Sequence, residues 1–197
     1  MRIFLAGATG VIGVRLVPLL AAAGHTVAGM TRSAGSAGGV QELGAEPVVC
    51  DVFDPAALAA AVAGFRPDLV MHQLTDLPDD PAEIAAYAAR NGRIRREGTR
   101  NLLAAAAAAG TRRFIAQSIS WELPAQGGRE VTAAHERMVL AAGGVVIRYG
   151  QFCGPGTYYE SQLPEPPRIH VDDAALATVP ALEAPAGLTI VVDDRAT

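Results

Sequence analysis

Residues 1–16 read MRIFLAGATGVIGVRL, and the reading of this stretch decides the rest. Arg2 to Ala6 is a short, nearly continuous apolar run, the mark of a strand buried on both faces. Gly7, Gly10 and Gly13 follow at equal spacing, and from Val11 the apolar residues recur with a helical period. A strand that breaks into glycines and then becomes a helix is the first βα turn of a doubly wound sheet. The free N–H groups and dipole of such a helix start bind an anion. In this arrangement Gly7 permits the tight turn and Gly10 lets a pyrophosphate approach the backbone. Gly13 lets the helix lie close on the strand. Gly7, Ala8, Thr9, Gly10, Val11, Ile12 and Gly13 are therefore the candidate phosphate cradle. The plainer alternative, a turn without a ligand, does not require so many co-placed glycines.

Composition bounds what such a site could serve. The chain has 197 residues, 50% of them hydrophobic, and a net charge of −4, with a pI near 5.5. That suits one domain (residues 1–197), of a size that buries roughly 70% of its unfolded surface. The balance does not favour nucleic acid, which needs a basic face. The densest basic stretch, Arg90 to Arg100, reads as the solvated face of a long helix. Cys50 and Cys153 are far apart, outside any metal or redox spacing, and fit a reducing cytoplasm. His25, His72 and His170 have no ligand-spaced partners beyond the Asp172-Asp173 pair, so no metal is expected. The longest apolar run is alanine-dominated and closed by Gly110, short of the 18 or so residues of a membrane span. The expectation is a soluble, cytoplasmic protein with neither a membrane nor a nucleic-acid partner.

Strands are expected at residues 2–6, 26–30, 46–50, 69–73, 113–118, 145–149 and 188–192. Helices are expected at 11–23, 40–43, 55–63, 82–109, 132–142 and 172–182. Pro18 should bend the first helix, while Asp54 and Pro55 are the N-cap and first residue of the third. The long fourth helix is open to interruption at Gly92 or Gly98. Residues 150–167 are rich in Gly, Pro and Tyr and read as irregular. Buried strands alternating with helices mean a parallel sheet covered on both faces. The fold class is α/β, a doubly wound Rossmann-type sheet of about seven strands.

The glycine spacing GxxGxxG resembles that of the short-chain dehydrogenase/reductase superfamily, specifically its extended branch, the NAD-dependent epimerase/dehydratase family. VVCDVFDP, PDLVMHQLT, GTRNLLAAAAAAGTRRFIAQSIS, VVIRYGQFCGPGT and RIHVDDAALATVPAL resemble later segments of that family, in the same order. The resemblance implies strand order 3-2-1-4-5-6-7, a nicotinamide cofactor and a small polar organic substrate. It also implies a homodimer built on the helix around residues 102–109. Its cofactor contacts would fall on Asp51 and Val52, on Gln73, Leu74 and Thr75, and on Asn101, Ser118, Tyr149 and Gln151. Compared with the family, the substrate region at about 150–170 is abbreviated.

Which dinucleotide binds is decided after strand two. A carboxylate there bonds the ribose hydroxyls of NAD, whereas arginine receives the 2′-phosphate of NADP. Thr31, Arg32 and Ser33 stand here without a carboxylate. NADP is the expected cofactor and NAD the second choice. A methyltransferase using S-adenosylmethionine has a similar glycine turn but wants a carboxylate at this point, and Arg32 argues against it.

The family's hydride chemistry uses a Tyr-x-x-x-Lys pair on the helix after strand five and a hydroxyl at the end of that strand. The helix here, GGREVTAAHERMVLAAGG, has neither tyrosine nor lysine. Setting Glu136 against the family's later glutamate puts Gly128 and Thr132 where Tyr and Lys belong. Ser118 and Ser120 bracket the hydroxyl position. His135, or Tyr158 and Tyr159 after the GPG turn, are the substitute acids. The expected function is an NAD(P)-dependent oxidoreductase or epimerase/dehydratase-like protein. The alternative is a non-catalytic NADP-binding sensor that keeps the fold and has lost the chemistry.

Overall fold

A computed structural model describes residues 1–78, 83–123 and 128–193. The expected helix start at 82 and the end of the TDLPDDP turn lie outside these residues. The strands are β1 (Arg2–Ala6), β2 (Thr26–Thr31), β3 (Glu46–Val49), β4 (Leu69–His72), β5 (Arg113–Ile119), β6 (Val145–Tyr149), β7 (Gln151–Cys153), β8 (Arg168–His170) and β9 (Gly187–Val191). The helices are α1 (Gly13–Ala22), α2 (Ala37–Glu42), α3 (Pro55–Phe65), α4 (Ile84–Arg93), α5 (Thr99–Ala108), α6 (Gly128–Ala141) and α7 (Val171–Thr178).

Seven strands form one sheet in the order β3-β2-β1-β4-β5-β6-β9, and every neighbouring pair is parallel. The order reverses between β1 and β4, which opens a crevice at the carboxyl ends of the strands, where such sheets bind ligands. Alternation along each strand fills two cores. Ile3, Leu5, Leu69, Met71, Ile147 and Tyr149 pack with α1 and α7 residues. Phe4, Ala6, Val70, Ala116 and Val146 pack with α3 and α5. Both faces are covered, so these strands are apolar throughout rather than alternating.

The local signals at α3 act where expected. Asp54 caps α3 by accepting from Ala56 and Ala57 N–H at 3.1 and 3.0 Å, and Pro55 begins the helix. Pro18 lies inside α1 on its exposed side, and the helix runs unbroken from Gly13 to Ala22.

The long fourth helix is interrupted as expected, and two other expectations need correction. The helix expected at 82–109 is divided by a π turn, Ile94–Gly98, that ends at one of the two suspected glycines. The helix expected at 172–182 ends at Thr178 and tightens into a 3₁₀ turn, Val179–Leu182, because Pro180 has no N–H to continue the α pattern. The irregular region contains β7 and β8, which pair in parallel with Cys153 opposite His170. Three-residue strands are too short to leave a period in the sequence.

Candidate functional site

The glycines of the first turn are fixed by backbone geometry. Gly7 has φ of 98°, and a Cβ there would lie 2.9 Å from the Gln73 carbonyl group. A Cβ on Gly13 would lie 2.1 Å from the Gly7 carbonyl oxygen. Gly10 differs: its Cβ would meet only that oxygen, at 3.4 Å, so the fold leaves open the approach that a ligand would use. At the helix start, Val14 N–H donates to Gly10 and Leu16 N–H to Ile12, while α1 has no side-chain cap. The N–H groups of Val11, Ile12 and Gly13 donate to no backbone carbonyl among the described residues. An uncapped helix start beside room for backbone approach suits an anion.

A cleft of about 140 Å³ joins this cradle to the ends of β2 and β4. It is lined by Gly7, Thr9, Gly10, Met30, Thr31, Arg32, Gln73, Leu74 and Thr75. Arg32 and Ser33 are exposed at its rim, and buried Thr31 accepts from Ser33 N–H at 3.3 Å. Gln73 is buried with Oε1 unpartnered, a second sign of room for a polar ligand. Asp51 is exposed and holds its own loop, accepting from Phe53 N–H at 2.9 Å. Asn101 Nδ2 donates to the Val52 carbonyl at 2.9 Å, tying α5 to that loop. These residues fit a dinucleotide lying along the strand ends, with Ala8 and Ile12 buried beneath it.

Beyond the cleft, on the α5–α6 side of the sheet, lies a buried polar chain that the sequence reading missed. Leu74 N–H donates to His72 Nδ1 at 3.2 Å, and His72 Nε2 lies 3.1 Å from Thr99 Oγ1. Thr99 Oγ1 is 2.7 Å from His135 Nδ1, and His135 Nε2 is 2.9 Å from the Gln117 carbonyl oxygen. With each imidazole carrying a single proton, as burial favours, one assignment satisfies all four contacts. The Gln117 carbonyl can only accept, so His135 carries its proton on Nε2 and its Nδ1 accepts from the threonine hydroxyl. Thr99 Oγ1 then accepts from His72 Nε2–H, and both imidazoles are neutral. Burial lowers the His72 pKa well below its usual value and takes that of His135 down to about 4, with help from the Arg95 charge.

This placement bears directly on the substitute acid. His135 is 1% exposed, packs edge-on against the His72 ring, and has both nitrogens engaged. The imidazole is thus enclosed and hydrogen-bonded rather than exposed on the helix surface. Its helix position is legible in the sequence, but its neighbours Thr99 and Gln117 are not.

The other catalytic candidates also have partners. Ser118 is fully buried and donates to Glu136 Oε1 at 2.6 Å. Arg148 holds the same carboxylate as a fork, Nε to Oε1 at 2.8 Å and Nη2 to Oε2 at 2.6 Å. Burial opposes the Glu136 charge, yet these bonds hold its pKa below the ordinary carboxylate value. Ser120 Oγ donates to the Tyr149 carbonyl at 2.9 Å, and Tyr149 is itself buried with its hydroxyl 2.6 Å from Thr178 Oγ1. Gly128, Thr132 and Glu136 do follow one another along α6, and Thr132 Oγ1 donates back to the Gly128 carbonyl. Tyr158 donates to the Pro78 carbonyl and Tyr159 to Gln151 Oε1, so these tyrosines tie the GPG loop down. Among the described residues no cluster of three or more His, Cys, Asp or Glu could hold a metal. No helix among them is long and apolar enough to cross a membrane.

Comparison with known proteins places this geometry. The family model described as "NAD(P)H-binding" matches residues 7–137, most of the chain. The chain belongs to that family. It contains the phosphate turn, the cleft strands and most of α6 within the matched span. A curated Streptomyces protein, 3-diazoavenalumate denitrifying reductase, is 39% identical over 240 residues, covering 99% of this chain and 77% of that protein. The aligned span exceeds this chain's 197 residues, so the relative carries segments between the matched parts that are absent here. UDP-glucose 4-epimerase from Thermus thermophilus, solved with NAD, aligns with TM-score 0.79 at 20% identity, covering 98% of this chain and 78% of that one. A putative epimerase from Burkholderia cenocepacia aligns with TM-score 0.79 at 25% identity, covering 100% and 76%. The chain is thus an NAD(P)H-binding family member that shares its fold with these epimerases and is related to a reductase.

Proposed function

We propose that this protein binds NADP(H) along the carboxyl ends of β2, β1 and β4 and passes hydride to a small organic electrophile that requires no proton from the protein. The observation that carries the reading is α6, which has neither tyrosine nor lysine and whose own histidine, His135, is buried with both ring nitrogens hydrogen-bonded. The cofactor, when bound, supplies a hydride at its nicotinamide ring. The chain's part is to cradle the pyrophosphate over Gly10 and the free N–H groups of Val11 and Ile12, with the 2′-phosphate held by Arg32 and Ser33. Ser118 and Ser120 order the end of β5, the strand end that would face the nicotinamide.

A general acid usually contributes 10²- to 10⁴-fold, so a protein without one suits a substrate activated in another way. The name of the Streptomyces relative suggests the class. When an aryl diazonium ion takes hydride, the hydride's electron pair makes the new C–H bond. The C–N pair leaves with dinitrogen, and no net proton is consumed. The test mixes protein, NADPH and an ortho-hydroxyaryl diazonium salt. Loss of the reduced cofactor should be proportional to protein, with phenol and dinitrogen formed in equal amounts. Tight NADPH binding without consumption would favour the sensor reading instead.

Arg32→Ala should weaken NADPH binding by about 1.5–3 kcal/mol, the worth of hydrogen bonds to a charged group, and leave NADH nearly unchanged. Equal losses for both cofactors in calorimetry would refute the NADP assignment. We also place the protein in the cytoplasm, where two free buried cysteines stay reduced. A homodimer through α5 is supported by the exposed small residues Ala104, Ala107 and Ala108, which recur at helical spacing and permit close approach. Sedimentation should give the dimer mass; a monomer mass at every concentration would count against it.

A further inference from the structure

Arg95 stands apart from the other arginines around the site. It lies in the π turn between α4 and α5, is 5% exposed, and its Nη1 has no hydrogen-bond partner. Arg90, Arg93 and Arg148 are all more exposed, and each holds a carboxylate, of Asp76, Glu97 and Glu136. Arg95 forms no ion pair among the described residues. Burial lowers its pKa to about 10, which still leaves it charged at neutral pH.

The groups whose charge reaches it are His72, His135 and Glu136. Burial holds both histidines neutral. Both oxygens of Glu136 are already taken by the Arg148 fork and Ser118. Arg95 is therefore a buried cation whose Nη1 meets no acceptor among the described residues. A buried charge left this way is costly to the folded state, and a bound anion would offset the cost.

Its place says which anion. Thr99, one turn further along the same helix, bonds His72, and His72 directly precedes Gln73, Leu74 and Thr75 of the cleft. Ser118, from the end of β5, bonds the same Glu136 that Arg95 senses. Arg95 thus lies toward β4 and β5, away from the cradle and Arg32 that would hold the cofactor's phosphates. We infer that Arg95 receives a carboxylate of the substrate, through the paired N–H bonds that guanidinium makes with that group. The inference rests on the proposed cofactor site, because it assigns to the substrate the anion that the cofactor leaves unaccounted for.

Benzoate and benzamide, titrated into the NADP⁺ complex by calorimetry, test it as an aryl carboxylate and its neutral counterpart. Wild-type protein should bind benzoate at least about tenfold more tightly than benzamide. Arg95→Gln should lose about ten- to hundredfold in benzoate affinity and bind the two alike, with NADP⁺ affinity unchanged. Arg95→Lys keeps the charge without the fork and should fall between. Equal affinity for benzoate and benzamide in the wild type overturns the inference, as does benzoate binding that Arg95→Gln leaves intact. If Arg95→Gln does not fold, Arg95→Lys decides, and unchanged benzoate affinity there overturns it. Failure of the wild type to bind NADP⁺ would instead count against the cofactor reading.

Discussion

Gly13→Ala should destabilise the protein by about 3 kcal/mol and abolish dinucleotide binding. The new Cβ would sit 2.1 Å from the Gly7 carbonyl oxygen and 2.9 Å from backbone atoms of Ala8. These are backbone atoms at the end of β1, not flexible side-chain tips, so α1 itself has to move off the sheet. That shift disturbs Leu16, Val17 and Leu20 in the core and misaims the N–H groups meant for the pyrophosphate. Gly10→Ala is the informative partner. Its Cβ meets protein only at 3.4 Å, so stability should stay within about 1 kcal/mol of the wild type while NADPH binding is lost. Urea melts and cofactor titration on the two variants separate the roles. A Gly13→Ala protein as stable as the wild type would show that the helix does not need its close seat.

Stability should also fall by about 2 kcal/mol between pH 6.5 and pH 5, with about 3 kcal/mol lost by pH 4. The cause is His135, whose pKa drops from 6.5 in the unfolded chain to about 4 in the fold. Above 6.5 it is neutral in both states and contributes no pH dependence. Between the two values the unfolded chain takes up a proton that the folded one refuses, so unfolding becomes easier as the pH falls. His72 shifts the same way and adds to the slope. Glu136 also has a lowered pKa, so its contribution is lost only at still lower pH. Urea denaturation at pH 7 and pH 5 measures the effect, and His135→Gln should flatten part of it. Identical stability at both pH values would mean that the buried histidines are not held neutral.

The glycine turn of the candidate cradle was legible because its signals are local. A strand, three glycines and a helix start lie within 16 consecutive residues, and Gly7 and Gly13 answer to backbone geometry inside that unit or beside it. The same holds for the Asp54-Pro55 helix start, whose cap reaches only two and three residues ahead. The catalytic half was not legible in this way. Ser118 and His135 look available on a strand end and a helix face, yet their partners are Glu136 and Arg148, and Thr99 and Gln117. Arg95 sits in a run of arginines that reads as a solvated face, and its burial follows from the helix it joins and the α6 residues packed against it.

Sequence alone determined the parallel sheet, its glycine turn, the NAD(P)-binding type and the absence of a Tyr-x-x-x-Lys pair. These depend on hydrophobic period and backbone conformation, which neighbours in the chain control. Only the tertiary structure decided which polar groups are neutral, which are paired and which cation is left without a partner. Those properties depend on burial and on contacts between residues such as His72 and His135, far apart in the chain, which exist only once α5 and α6 pack against the sheet.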